Sequence, residues 1–164
     1  VIITTIYVRR ANSEYDDLTA AITKAVLNES KKLFELLDAP LKNYRWSWGS
    51  IRSDQVIFLR VWQHETKTIN GKEFQRIGYS FRRSQVKPTA GNNERRRHIE
   101  SIEGGSQVYM VVCTALDGAD GSRRIQSFNQ EFVWLGGELL IQGNDVWLEQ
   151  KEKVSIAKAS AMSF

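Results

Sequence analysis

The sequence predicts an α+β fold, a mostly antiparallel curled sheet or small, partly open barrel with one long N-terminal helix and one short middle helix; an open α+β sandwich is the second arrangement. Three observations predict it. Apolar residues recur at three- and four-residue steps between Leu18 and Leu37. Several short runs rich in β-branched and aromatic residues are separated by glycine and asparagine turns. One polar segment bearing its own cap and terminating glycines interrupts those runs. At 164 residues the chain has the length of one domain, residues 1–164, with a substantial core.

Val1 to Arg9 is β-branched and reads as a strand. Asn12 and Ser13 offer caps for the long helix that follows, and Glu14, Asp16 and Asp17 suit its positive end. Pro40 closes that helix. Strands are expected at Asn43–Trp48, Gln55–His64, Glu73–Arg82 and Gln107–Leu116, the second and third joined as a hairpin by Asn70-Gly71. Between the third and fourth, Asn92 or Asn93 caps a short helix to Glu103, with His98, Ile99 and Ile102 facing inward and Gly104-Gly105 ending it. Further strands are expected at Phe132–Ile141 and Val146–Glu149, broken by Gly136-Gly137 and turned at Gly143-Asn144-Asp145.

Charge is unevenly placed. Arg76, Arg82, Arg83, Lys87, Arg95, Arg96 and Arg97 stand within 22 residues that hold one acid, Glu94, a local charge of +6 on a chain of +4 overall. The remainder, with 16 basic and 18 acidic residues, is net −2. A patch of one sign concentrates a polyanion. Aromatic residues lie beside it, at Tyr44, Trp46, Trp48, Trp62 and Tyr79. Rings stack on any base, for about 1 to 3 kcal/mol each. If Asn43–Trp48 is a strand, alternation puts Tyr44, Trp46 and Trp48 on one face, either as a base pocket or packed under the long helix. Gly49-Ser50 permits close backbone approach, and Arg52 adds charge to that loop. The expected base-binding residues are therefore Tyr44, Trp46, Trp48, Trp62 and Tyr79, and the expected phosphate-binding residues Arg52, Arg82, Arg83, Lys87, Arg95, Arg96 and Arg97. Of the three arginines on the short helix, spaced 100° apart, at least two must reach solvent. Val56 to Trp62 is apolar on both faces except for Arg60, which needs a carboxylate or a phosphate if buried.

Other chemistries find less support. One cysteine, Cys113, and two histidines, His64 and His98, supply neither a disulfide nor a standard zinc site, so no metal or cofactor is expected. Asp54, Glu65 and Lys67 follow the order D, then E-x-K, of metal-dependent nucleases, yet Asp54 and Glu65 fall at opposite ends of one expected strand. A protein-interaction domain whose rings are all core is the remaining alternative. No apolar run reaches the roughly 18 residues of a membrane span, so a cytoplasmic location and no membrane partner are expected. A chain that starts at Val1 and carries five tryptophans reads as part of a longer protein with further partner domains.

The helix Glu94-Arg95-Arg96-Arg97-His98-Ile99-Glu100 leading into the strand Tyr109–Ala115, together with the aromatic segment Tyr44–Trp48, is similar to the PUA-like group, which includes the EVE, YTH and related modified-base readers. The likeness spans Asn43 to Leu116 in element order and residue type. It implies a curled pseudobarrel that binds nucleic acid, DNA before RNA, and takes one base into an aromatic cage drawn from Trp46, Trp48, Trp62 or Tyr79. Arg82, Arg83 and Arg95 to Arg97 would then meet phosphates. Several members serve as specificity modules of modification-dependent bacterial restriction systems, and such a module would have an associated or fused nuclease domain as its partner.

Overall fold

The computed structural model describes residues 2–79, 87–115 and 125–161. A long helix, α1 (Ile2–Leu36), is followed by four strands, β1 (Gly49–Ile51), β2 (Ile57–Trp62), β3 (Thr66–Ile69) and β4 (Lys72–Tyr79). Helix α2 (Ala90–Glu103) then leads into β5 (Val108–Ala115), β6 (Ile125–Phe128), β7 (Phe132–Gln142) and β8 (Asp145–Ser155), and a short α3 (Ile156–Ser160) ends the described chain. The strands form one open sheet in the order β1-β2-β5-β7-β8-β4-β3, with β6 paired to β5. Every described pairing is antiparallel except β2 with β5, which runs parallel from Ile57 opposite Val108 to Trp62 opposite Cys113. A parallel neighbour needs a long crossover, and here β3, β4 and α2 supply it.

The central position of β2 follows from its sequence. Phe58 enters one core with Leu33 and Phe34 of α1, Leu37 just after it, Tyr109 and Val111 of β5, and Ile156 and Ala159 of α3. Ile57, Leu59 and Val61, pointing the other way, enter a second core with Ile99 and Ile102 of α2, Met110, Val146 and Leu148. The sheet curls without closing. Although β2 and β4 are separated by three strands, the fully buried Gln75 of β4 donates to the Trp62 and Glu65 carbonyls at 2.7 and 3.0 Å, and Arg76 N–H reaches the Glu65 carbonyl at 2.9 Å.

Several sequence expectations are corrected. Val1–Arg9 is not a strand: from Ile2 the backbone is helical and continuous with α1, so Asn12 and Ser13 are interior positions rather than caps. The β-branched penalty is only a few tenths of a kcal/mol per residue, small beside the one hydrogen bond each residue adds to an existing helix. Asn43–Trp48 is a turn. The Asn43 side chain accepts from Arg45 N–H at 2.9 Å, Ser47 Oγ accepts from Asn43 N–H at 3.0 Å, and Ser47 N–H donates to the Asn43 carbonyl at 2.8 Å. Such short side-chain bonds give the backbone an alternative to a ladder. Asn70-Gly71, both at positive φ, does form the tight turn, but it joins β3 to β4 rather than β2 to β4. The cap of α2 is Thr89, whose hydroxyl accepts from Asn92 N–H at 3.1 Å, in place of Asn92 or Asn93. Gly136-Gly137 leaves β7 unbroken and shifts its register against β8.

Gly136 is required by space. A Cβ there would lie 2.6 Å from Val108 Cγ1 and 2.8 Å from Leu148 Cδ2, both in the second core. Gly136→Ala should lower stability by about 1 to 3 kcal/mol through overpacking, measured as a fall in the urea midpoint at unchanged slope. An unchanged midpoint would show that β7 does not pack this closely on β5 and β8.

Candidate nucleic-acid interface

Helix α2 fixes the aromatic turn to the sheet through two adjacent residues. Glu94 accepts from Ser47 Oγ at 3.0 Å and from Trp48 N–H at 2.9 Å. Arg95 donates through Nη2 to the Trp48 carbonyl at 2.8 Å and to the Arg60 carbonyl at 2.9 Å, and its stem lies against Gly78 of β4. Trp48 is thus held at both its N–H and its C=O, and Arg60 N–H adds a second bond to that carbonyl at 2.7 Å. The Trp48 ring then has little freedom. It sits 5.4 Å from the Trp62 ring at 59°, covers the Arg60 guanidinium at 5.3 Å, and abuts Gly91 in the first turn of α2. His64 continues the row, 6.0 Å from Trp62.

Beneath the rings lies a cationic cluster. Arg60 and Arg95 are 2% and 8% exposed. Arg60 donates to the Ser47 carbonyl, yet its Nε and Nη1, and Nη1 of Arg95, have no hydrogen-bond partner. Burial lowers the Arg60 pKa against the pull of Cys113 and Glu94, and lowers that of Arg95 to about 10, helped by Arg60 and opposed by Glu94. Burial also pushes the Cys113 thiol up to about 12, so it contributes no charge at neutral pH. Burial, with Arg95 and Arg97 nearby, holds His98 down to about 3, and its Nδ1 is unpartnered. Two guanidiniums therefore share one buried carboxylate, Glu94.

The expected ring cage is divided. Trp48 and Trp62 are in contact, both half-buried, and the Trp46 carbonyl reaches the same turn of α2 as Trp48. Tyr44 instead lines a cleft with Asp16, Thr23 and Leu27 of α1 and stacks on Arg45. Tyr79 lies under Arg76 at 4.5 Å, and Arg76 also bonds Glu65 at 3.0 Å and Asp145 at 2.9 Å. Those partners raise the Arg76 pKa although its burial opposes them.

The basic residues divide as well. Arg52 is not a phosphate ligand: at 2% exposure it forms a bidentate pair with Asp54 at 2.9 Å and donates to the carbonyls of Leu37, Ala159 and Ala161. Arg95 is likewise consumed internally, because its place on α2 faces the gap between β2 and β4. Lys87, Arg96 and Arg97 are exposed. Arg82 and Arg83 lie outside the described residues. The close approach at Gly49 is made by the protein itself, since a Cβ there would stand 2.5 Å from the Phe58 carbonyl and 3.1 Å from His98.

The nuclease constellation is not assembled. Asp54 is paired with Arg52 before β2, Glu65 with Arg76 after it, and Lys67 lies 3.7 Å over the Trp147 ring. Among the described residues no group of three His, Cys, Asp or Glu is placed to hold a metal ion. No described helix is long and apolar enough to cross a membrane. The sequence reading missed Glu94 as the acid that organises the turn. Its position at i−4 from His98, on the helix's inward face, was the available signal.

His98 gives the cluster a pH dependence. Its folded pKa of about 3 lies below the unfolded value near 6.5, so the unfolded chain takes up the proton first as pH falls. The stability it confers is present above pH 6.5 and declines toward pH 3 by up to about 1.4 kcal/mol per unit. His98→Leu should flatten the stability profile between about pH 6 and 4 relative to the parent; parallel profiles by urea unfolding would refute a neutral buried imidazole. No protein-family model matches the chain, and no curated protein or solved structure matches it.

Proposed function

We propose that this chain is a nucleic-acid-binding module for DNA that receives an unstacked or flipped, modified base on Trp48 and Trp62. Phosphates flanking that base are held by the exposed Lys87, Arg96 and Arg97. The curled sheet would act as a PUA-like pseudobarrel and serve as the specificity domain of a restriction or defence protein whose nuclease is a separate, fused or associated domain. One observation carries the reading: the Trp48 ring, with Trp62 5.4 Å behind it, is seated on Gly91 in the N-terminal turn of α2. Stacking surface, the positive end of a helix dipole and the cationic side chains of Lys87, Arg96 and Arg97 thus belong to one helix and its neighbours. Arg96 and Arg97 follow Gly91 by five and six residues, about 8 to 9 Å along the axis, a spacing within reach of successive phosphates. The net positive charge under the rings favours an electron-rich base over them.

Affinity and base preference should separate by residue. Replacing Arg96 and Arg97 with Ala should weaken binding to all duplexes alike and reduce the salt slope by about one unit for each phosphate no longer neutralised. Trp62→Ala should lower the preference for a modified or mismatched base by about 1 to 3 kcal/mol and leave the slope nearly intact. Fluorescence anisotropy with matched modified and plain duplexes at several salt concentrations measures both. Absence of binding at low salt, or binding indifferent to salt, would reject the proposal.

A further inference from the structure

A second cavity lies on the sheet face opposite Trp62. Along β2 the side chains of Phe58, Arg60 and Trp62 share one face, whereas Val61 and Gln63 share the other, with the second core. Above that core, between β5, β6, β7 and β8, is an open cleft of about 430 Å³, within the roughly 300 to 1,000 Å³ of small-ligand sites. None of its lining side chains is ionisable. Its polar groups include the carboxamides of Gln63, Asn129 and Gln150 and the hydroxyl of Thr114; its rings include Phe132 and Trp134. The lining supplies no charged hydrogen-bonding partner, and the Lys153 ammonium lies over the Phe132 and Trp134 rings, so recognition inside the cleft falls to neutral polar groups.

The carboxamides are already oriented by the protein. Fully buried Gln75 accepts from Gln150 Nε2 at 3.3 Å, which leaves the Gln150 oxygen as an acceptor. Gln63 accepts from Thr114 Oγ1 at 3.1 Å through Oε1, which leaves its amide N–H groups as donors. The Asn129 oxygen accepts from the N–H groups of Glu131 and Phe132, both at 2.9 Å, leaving its amide nitrogen likewise. The site thus offers both donors and an acceptor, held in place, beside two rings meeting edge to face at 5.9 Å, with Lys153 4.7 Å over Phe132.

We infer that this cleft binds a neutral nucleobase through an edge that alternates donor and acceptor, as adenine and cytosine do. Amide donors and an amide acceptor from different side chains complement such an edge, and rings supply the stacking surface. A neutral sugar would share the preference for an uncharged site, but it presents no planar edge to a set of carboxamides. The inference does not depend on the α2 interface, because none of Trp48, Trp62, Lys87, Arg96 and Arg97 lines this cleft and no phosphate is involved.

Free nucleosides test it directly. Adenosine and cytidine, with glucose and galactose as competing ligands, are titrated into the full chain by calorimetry in about 0.5 M salt, where phosphate-type attraction is screened. At least one nucleoside should bind saturably with one site per chain. Gln63→Leu and Gln150→Leu, each confirmed folded by circular dichroism, should weaken it about tenfold or more, because a partner edge is left unpaired. Gln63 is exposed, so its variant keeps the test decisive if Gln150→Leu does not fold. Three results would overturn the inference: no saturable nucleoside binding at millimolar concentration, binding unchanged in a folded cleft variant, or hexose binding in place of nucleoside binding. Loss of oligonucleotide binding through α2 with nucleoside binding retained would reject only the DNA-binding proposal.

Discussion

The carboxylate of Glu94 and the guanidinium of Arg95 hold the main chain of one residue, Trp48, from both sides. Glu94 takes the Trp48 N–H, Arg95 reaches the Trp48 carbonyl, and Arg95 extends to the Arg60 carbonyl in the centre of the sheet. Through these bonds α2, the turn before β1 and strand β2 become one unit, and the packing of the Arg95 stem on Gly78 adds β4. Removing the Glu94 carboxylate would leave Arg60 and Arg95 buried without their shared counterion, a change that in other proteins costs about 3 to 5 kcal/mol. The position of the Trp48 ring follows from this lattice rather than from hydrophobic packing alone. A ring placed by a hydrogen-bonded main chain keeps its location when a ligand covers its face, which is what a stacking platform needs.

The parts of the fold that were legible in the sequence depend on short-range rules. Asn70-Gly71 names its own turn, the spacing of His98, Ile99 and Ile102 names the inner face of α2, and the two-sided apolar run of β2 names a central strand. The aromatic segment shows where such rules fail. Tyr44, Trp46 and Trp48 alternate as a strand would, but the local bonds of Asn43 and Ser47 curl the backbone instead. The partner of β2 was equally hidden, since β5 lies beyond β3, β4 and α2 in the chain. Nothing in a single sequence states which distant strand a central strand will pair with.

Arginine was the least legible residue. Arg52 and Arg60 sit in segments that read respectively as a charged loop and an apolar strand, and both are internal. The acceptors that bury Arg52 include main-chain carbonyls of Leu37, Ala159 and Ala161, brought in from two remote helical ends. Main-chain oxygens carry no sequence signature, so the nearby Asp54 could be read from the sequence as a partner for Arg52 but the three carbonyls that complete its burial could not. Counting basic residues therefore overstates the freely exposed positive charge: within the span from Arg76 to Arg97, the structure commits Arg76 and Arg95 to internal partners.

What remains exposed is polarised along α2. Lys87 precedes the helix, Arg96 and Arg97 lie near its middle, and Glu100 and Glu103 are exposed toward its C-terminal end. This order opposes the pairing of acid with N-terminus and base with C-terminus that favours an isolated helix. It aligns side-chain charge with the macrodipole instead of cancelling it. The dipole's positive end is also where the Trp48 ring rests on the helix, so the ring and the helix's own positive charge meet at one place.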